Sequence, residues 1–201
     1  MQITKTTLFD FFKYIKSGIA LDVAPDHTGV VIWDGEKVTE YGFRVEIDSK
    51  SVHWEYKMRR DFKQELKKIV SGKDFEVCVI EGVYGGVNYD TTQKLLALNT
   101  VIDELIFEGV WFITEFFRWK PSEWLAKARM VYKQRGKLKT KLEIQGILEY
   151  LGYEFYITNK DKSDKEKAEM FFEDKCDACG MLLAVCVARV FLINKVENSD
   201  I

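Results

Sequence analysis

The chain has little of what would mark it as a membrane, secreted or zinc-binding protein. No apolar run is long enough to cross a bilayer, and the N-terminus lacks the apolar core and small-residue cleavage site of a signal peptide. Only two prolines, two histidines and four cysteines occur among 201 residues. Internal repeats and low-complexity linkers are also missing. These absences favour a cytoplasmic protein. A chain of 201 residues suits one domain and is long enough to bury a hydrophobic core.

The cysteines do not form a zinc or disulfide pattern. They lie within apolar stretches, which predicts reduced and buried thiols (Cys78, Cys176, Cys179 and Cys186). Two of them have Cys-x-x-Cys spacing inside a predicted helix, but no second pair or histidine accompanies them. Zinc or redox chemistry is therefore not expected there.

The hydrophobic pattern predicts an α/β domain at 18–201, preceded by a helical extension at 1–17. The predicted strands are 18–22, 30–33, 37–45, 77–80 and 110–116. Two helices are predicted at 55–71 and 91–108, and two more between Pro121 and Leu151. A last helix is predicted to begin at Asp174 and to continue to Leu192. The charged residues 159–169 are predicted to form a loop. The first three strands would be antiparallel, and a crossover would place the first and fourth strands side by side.

Four carboxylates stand where buried elements end or begin. Asp22 and Glu81 each close a short apolar run, and Asp174 and Asp177 stand at the start of the last helix. Adjacent first and fourth strands would bring Asp22 and Glu81 together, and residues three apart on a helix project from one face. Converging carboxylates repel one another unless a cation lies between them, and oxygen-only ligands favour magnesium or manganese. The pattern indicates a metal-dependent phosphoryl-transfer site, although acidic residues at such positions also serve as helix caps.

A basic segment lies between the predicted fifth strand and the last helix. Residues 118–143 carry nine lysines and arginines against only Glu123 and Glu143, although the net charge of the whole chain is −2. A local surplus of positive charge is typical of a nucleic-acid-binding surface. It is also typical of a solvated helix and loop, so charge alone leaves both interpretations open.

Three short motifs occur in order along the chain. The first is an aspartate followed by a loop that ends in Thr-Gly (21–29), the second a glutamate followed by an aromatic residue and an asparagine (81–88), and the third Asp-x-x-Asp-Ala (174–178). They resemble the motifs of RuvC-type Holliday junction resolvases in the ribonuclease H-like superfamily, and the resemblance covers residues 19 to about 192.

This resemblance implies a fold and a reaction. The fold would be a five-stranded mixed sheet, three antiparallel strands followed by parallel ones, flanked by helices. Asp22, Glu81, Asp174 and Asp177 would be catalytic and would bind Mg²⁺ or Mn²⁺, with two ions per active site. A homodimer, in contact through helix 91–108, would resolve four-way DNA junctions by paired phosphodiester hydrolysis.

The resemblance also implies a set of DNA-binding residues. Tyr84 matches an aromatic residue that stacks on bases at the centre of the junction, and it shares its motif with Asn88. Lys127 and Lys141 resemble the family's phosphate-contacting lysines. The other candidates lie in the basic segment (Lys133, Arg135, Lys137 and Lys139).

Several features of the chain depart from the family pattern and leave alternatives open. The extension before residue 18, a pI near 5.8 and a long 133–139 stretch leave strict specificity for four-way junctions in question. A broader branched-DNA debranching nuclease and a non-catalytic junction-binding module are the alternatives within this fold. The Asp22 loop also resembles the phosphate loop of the actin and sugar-kinase superfamily, but the chain is too short for the two domains which that class needs.

The residues after Asp22 have ordinary structural interpretations. His27 is expected to be an exposed loop residue, with approach to a phosphate or a metal-bound water as the alternative. Thr28 and Gly29 are expected to shape the turn into the second strand.

Overall fold

The computed structural model describes residues 7–25, 27–46, 50–83, 88–132, 142–153 and 165–197. The strands in these ranges are β1 (Gly18–Val23), β2 (His27–Trp33), β3 (Val38–Arg44), β4 (Asp74–Glu81) and β5 (Phe112–Trp119). The helices are α1 (Leu8–Phe12), α2 (Trp54–Val70), α3 (Tyr89–Phe107), α4 (Pro121–Ala128), α5 (Leu142–Tyr150) and α6 (Lys165–Glu197), with a short 3-10 helix at Arg129–Tyr132.

The five strands form one mixed sheet in the order β3-β2-β1-β4-β5. The β1–β2 and β2–β3 pairs are antiparallel, whereas the β1–β4 and β4–β5 pairs are parallel. Leu21 of β1 lies opposite Ile80 of β4, so the predicted contact between the first and fourth strands is confirmed. The predicted fold class, a mixed five-stranded sheet flanked by helices, is confirmed as well.

The central strands are buried on both faces of the sheet. Ala20, Val31 and Val79 belong to a core that they share with α6, α1, α4 and α5. Leu21 and Ile80, their neighbours along the strands, belong to a second core with α2 and α3. Because successive side chains of a strand point to opposite faces, a strand between two cores has to be apolar throughout. This explains the continuous apolar runs of β1 and β4.

Helix α6 lies in the middle of the first core. Residues 178–187 are all buried, and a helix buried on every side needs no polar stripe. The predicted start of this helix at Asp174 is wrong, because α6 begins at Lys165 and includes residues 165–169 of the predicted loop. Those residues are lysine, glutamate and alanine, which are strong helix formers even without apolar periodicity. None of the described helices is both long and apolar enough to cross a bilayer.

Helix α1 packs into the same core as α6. Leu8, Phe12 and Ile15 are buried, and the Phe12 ring lies 5.5 Å from the Trp33 ring. The Trp33 indole donates a hydrogen bond of 3.2 Å to the carbonyl of Ile15. The backbone N–H of Leu8 donates to the carbonyl of Leu151 at the end of α5. The segment before β1 thus closes one end of the core.

The four cysteines are buried and form no disulfide, as predicted. Burial raises the pKa of the Cys78 thiol well above its usual range and that of Cys186 to about 12. These thiols behave as core side chains because their thiolate forms are strongly disfavoured.

Arg189 joins the C-terminal part of α6 to the sheet. Its guanidinium forms ion pairs with Glu76 of β4 and Glu115 of β5, and it donates to the carbonyl of Tyr14 at 3.1 Å. Desolvation raises the pKa of Glu76. The hydrogen bonds from the Lys16 backbone and from Arg189 outweigh that effect, so the pKa lies below its usual 4.5. Arg189 therefore stabilises the ionised form of a partly buried glutamate.

We expect Arg189→Met to lower the free energy of unfolding at neutral pH by about 1–2 kcal/mol, because charge-assisted hydrogen bonds to a partly buried group are lost. The difference from the unaltered protein should shrink as the pH falls through the lowered pKa of Glu76, since protonated Glu76 no longer needs the cation. Urea titrations at several pH values measure this. Arg118→Met, which removes the exposed pair with Asp103, is the control and should cost less than about 0.5 kcal/mol. Equal losses in both variants would contradict the assignment.

Candidate active site

A cavity of about 380 Å³ opens at the carboxyl ends of β1 and β4. All four carboxylates singled out in the sequence line it (Asp22, Glu81, Asp174 and Asp177). They come from three distant parts of the chain, and the fold brings them together around one space.

The two strand carboxylates reach the cavity because of the register between β1 and β4. Leu21 and Ile80 are paired neighbours, and the next residue of each strand is Asp22 or Glu81. Asp22 shares a face of the sheet with Ala20, as Glu81 does with Val79, and both apolar residues pack in the α6 core. The acidic pair therefore projects on the side of the sheet that α6 covers.

The other two carboxylates come from inside α6 rather than from its first turn. Asp174 and Asp177 lie three residues apart, so they share one face of the helix. Their exposed fractions are only 5% and 9%, low values for acidic residues. The buried apolar stretch that follows them holds this face against the sheet.

Gly29 permits the close approach of α6 to β2. It is the cross-strand partner of Asp22, and a β-carbon on it would lie 2.5 Å from the carbonyl carbon of Asp174 and 2.7 Å from the Asp174 β-carbon. Contacts that short do not occur between real side chains and backbone. Gly29 and Thr28 lie within β2, so the expectation that they shape the preceding turn is wrong. Only glycine lets the backbone of Asp174 come this close to β2.

His27 is the first residue of β2, and the expectation of an exposed loop histidine is wrong. Its side chain is 17% exposed and lines the cavity, and its Nδ1 lies 2.5 Å from Oδ2 of Asp174. The turn before it is short, since the Ala24 N–H donates to the His27 carbonyl at 2.9 Å. β2 therefore begins earlier than the apolar pattern indicated.

A second polar cluster lies behind Asp174. Lys175 is 8% exposed and attracts Glu40 of β3, whose carboxylate accepts a hydrogen bond of 2.6 Å from the Tyr153 hydroxyl. Burial raises the pKa of Glu40, and the Tyr153 hydrogen bond and the Lys175 charge offset this only in part. These contacts join α6, β3 and the segment after α5 next to the cavity.

Basic and aromatic side chains lie on the α4 side of the cavity. Arg129, which the sequence did not single out from the other basic residues, lines it together with Trp124 and Leu125. Lys127 places its Nζ 4.7 Å from the ring centre of Trp119, the strand neighbour of Glu81. Only the three-dimensional structure distinguishes Arg129 from the rest of the basic segment.

The other predicted DNA-binding residues divide into two groups. Asn88 caps α3, since its side chain accepts a hydrogen bond of 2.8 Å from the Thr91 N–H. The remaining candidates lie outside the described residues (Tyr84, Lys133, Arg135, Lys137, Lys139 and Lys141).

The donor set at the cavity fits a hard divalent cation by its chemistry. Four carboxylates line the cavity, two of them nearly buried, and buried carboxylates are stabilised by a positive partner. Among the described residues, no three Asp, Glu, His or Cys side chains already form a cluster that could hold an ion. The cavity thus supplies suitable ligands, although they are not drawn together around one point.

Solved structures with the same fold include those of a DNA-junction protein. "T. thermophilus RuvC in complex with Holliday junction substrate" aligns over 87% of this chain and 95% of its own, with a TM-score of 0.54 and 12% identity. "Thermus thermophilus RuvC structure" aligns over 87% and 96%, with a TM-score of 0.54 and 13% identity. The fold of this chain is therefore RuvC-like. No protein-family model matches the sequence, and no curated protein sequence matches it either.

We expect Gly29→Ala to reduce the free energy of unfolding by about 1–3 kcal/mol, because α6 must move away from β2 to accommodate the methyl group. Gly146→Ala is the matched control, since a β-carbon on this α5 residue meets nothing within 4 Å. That control should be neutral or slightly stabilising, as alanine favours helix. Urea unfolding of both variants measures the difference. A Gly29→Ala protein as stable as the control variant would show that α6 is not pressed against β2.

Proposed function

We propose that this chain is a divalent-metal-dependent endonuclease that cleaves branched DNA, with the four-way junction as its main substrate. The observation that carries the proposal is the convergence of four carboxylates on one cavity at the ends of the two central strands. The RuvC-like fold supports it, and one of the RuvC structures with this fold is in complex with a Holliday junction substrate.

Asp22, Glu81, Asp174 and Asp177 would bind Mg²⁺ or Mn²⁺, with two ions per site. When bound, the ions would activate a water molecule and stabilise the leaving oxygen of an in-line phosphodiester displacement. The contribution of the chain is to hold the four carboxylates in place. Asp22 and Glu81 are fixed by the strand register, and the other two by the buried helix. Hydrolysis would leave a 5′-phosphate and a 3′-hydroxyl.

Arg129 would hold the DNA strand beside the carboxylates. Its guanidinium can donate two parallel hydrogen bonds to a phosphate, and its place on the cavity lining suits a phosphate next to the scissile one. Lys127, over the Trp119 ring, would add a further positive charge on the same side. Neither residue reads a base, which suits selection by DNA shape rather than by sequence.

Residues of the basic segment and of the Glu81 motif would recognise the junction itself. Tyr84 would stack on an unpaired base, an interaction worth about 1–3 kcal/mol. Asn88, from the same motif, would act at the start of α3. Contacts to the phosphates of the arms would come from the basic segment (Lys133, Arg135, Lys137, Lys139 and Lys141).

A homodimer would place two active sites on opposite strands of a symmetric junction. One face of α3 supports this proposal. Leu96, Asp103 and Phe107 recur there at helical spacing. The pair between Asp103 and Arg118 shows that this face lies beside edge strand β5. Exposed apolar side chains continue along this surface, since Leu96 is 46%, Phe107 94% and Phe112 68% exposed. Apolar surface of this kind is characteristic of an interface.

We expect Leu96→Arg combined with Phe112→Arg to convert the dimer into monomer, because buried arginines would face one another across a two-fold axis. Sedimentation velocity over a range of protein concentrations measures the change. Val52→Arg is the control, because Val52 is 92% exposed but lies next to α2. A double variant that sediments as the unaltered protein does would exclude this surface as the interface.

The alternatives differ in substrate and in chemistry. A debranching nuclease of this fold would also cut forks, and none of the described cavity residues discriminates between the two substrates. A non-catalytic junction-binding module is less compatible with the site, because carboxylates beside a phosphate weaken DNA binding and bring no benefit without a cation. The burial of Asp174 and Asp177 also argues against a non-catalytic module, since a binding protein gains nothing from desolvating them.

The decisive experiment is cleavage of a labelled mobile four-way junction, with and without Mg²⁺, beside linear duplex and a Y-fork. We expect paired symmetric nicks on the junction that require the metal. Asp22→Asn and Asp174→Asn should lose at least about 100-fold in rate and still bind the junction, because the carboxylates are not needed for phosphate contacts. Glu36→Gln, in the exposed hairpin between β2 and β3, should cleave normally.

Each other outcome has a definite meaning. Cutting of the fork as well as the junction would assign the debranching activity. Normal cleavage by either aspartate variant would remove the role of the carboxylates. Junction binding without any metal-dependent cutting would favour the non-catalytic module.

A further inference from the structure

We infer that His27 is a positioning residue for Asp174: its Nδ1 fixes the rotation of the Asp174 carboxylate and so sets the affinity of the cavity for a divalent cation. The inference rests on the proposed function, and it assigns a role to a residue outside the four-carboxylate set. Three observations carry it: the place of His27 on β2, its contact with Asp174, and the packing of Asp174 on Gly29.

His27 points towards α6 from a fixed position. It is paired with Arg44 of β3, and alternation along β2 puts it on the same face of the sheet as Gly29 and Val31, which packs in the α6 core. The side chain is 17% exposed. His27 is held by pairing with Arg44 on one side and by the Ala24 N–H on the other, which is a more rigid support than a loop residue has.

The contact joins Nδ1 of the imidazole to one oxygen of the Asp174 carboxylate. His27 Nδ1 and Asp174 Oδ2 are 2.5 Å apart, well within the distance of an ion pair. The contact turns one oxygen of the Asp174 carboxylate towards the imidazole, where an Nδ1–H can donate to it. Both side chains are largely removed from solvent, at 17% and 6% exposure, so water competes little for this contact.

His27 and Gly29 act on different parts of Asp174. The backbone of Asp174 packs directly on Gly29, where a β-carbon would overlap the Asp174 carbonyl group. His27, two residues earlier on the same face of β2, meets the carboxylate. The backbone and the side chain of Asp174 are thus each located by β2, the strand next to Asp22. Carboxylate ligands are commonly held by such outer contacts, whose loss weakens metal binding about 10–100-fold.

The role of Nδ1 predicts an order among substitutions. Asparagine carries its amide nitrogen on Cγ, as histidine carries Nδ1, so His27→Asn retains a donor at the required distance from the backbone. Glutamine carries its amide nitrogen one bond further out, near the place of Nε2, so His27→Gln does not. The two variants are similar in polarity and differ by one methylene group, which makes them a matched pair.

The test is calorimetric titration of Mn²⁺ and of Ca²⁺ into the full chain without DNA, together with urea unfolding in EDTA. Asp174→Asn serves as the variant with a damaged site. We expect His27→Asn to bind the ions within about threefold of the unaltered protein, and His27→Gln to bind about 10–100-fold more weakly. Unfolding in EDTA should differ little within the matched pair, so a loss of affinity reports positioning rather than instability.

The outcomes separate this inference from the proposed function. Equal metal affinity in the Asn, Gln and unaltered proteins would overturn the role of His27 and leave the carboxylate site intact. Rescue by Gln but not by Asn would also overturn it, because the role would then belong to Nε2. No metal binding by the unaltered protein would overturn the proposed function, and the positioning role with it.

Discussion

The whole site depends on one steric condition: the backbone of α6 at Asp174 occupies the space that a β-carbon on Gly29 would fill. Gly29 is the strand partner of Asp22, so the condition sets the distance between the helix carboxylates and the strand carboxylates. A side chain at that position would lift α6 from the sheet and expose Asp174 and Asp177 to solvent. The cavity thus depends on the absence of a side chain at Gly29 rather than on an additional loop.

Holding two acidic residues nearly out of water is unfavourable, and the rest of α6 offsets it. Residues 178–187 are wholly buried, and each large apolar side chain among them contributes about 1.5–3 kcal/mol. The apolar half of the helix fixes how closely it packs on the sheet and how it is rotated about its axis. The positions of the acidic residues are fixed as well, because they belong to the same helix. Arg189 contributes at the far end, where it pairs with β4 and β5. A stable core and a nearly buried acidic face are consequently parts of one element.

The sequence was sufficient to predict the sheet, the adjacency of β1 and β4, and the four carboxylates, because these depend on local alternation and on chain connectivity. It was not sufficient for His27, since two isolated polar residues before an apolar run resemble a loop, and only pairing with Arg44 and Phe43 of β3 makes them strand. The start of α6 was missed because its first residues have helix propensity without any apolar stripe. Arg129 could not be separated from its basic neighbours, since its place on the cavity depends on how α4 packs against the sheet.

Charge determines how DNA can use this cavity under the proposed function. Two unit charges 4 Å apart interact by about 4 kcal/mol at the effective dielectric constant of a protein surface, so a phosphate among four carboxylates is opposed by several kcal/mol. Among the described lining residues, Arg129 is the permanently charged cation, and one guanidinium does not offset that repulsion. The phosphodiester can enter only once further positive charge compensates the carboxylates, so Arg129 needs the support of basic groups outside the cavity to hold DNA. Under the proposed function, binding and cleavage are therefore separable, because each depends on a different set of charges.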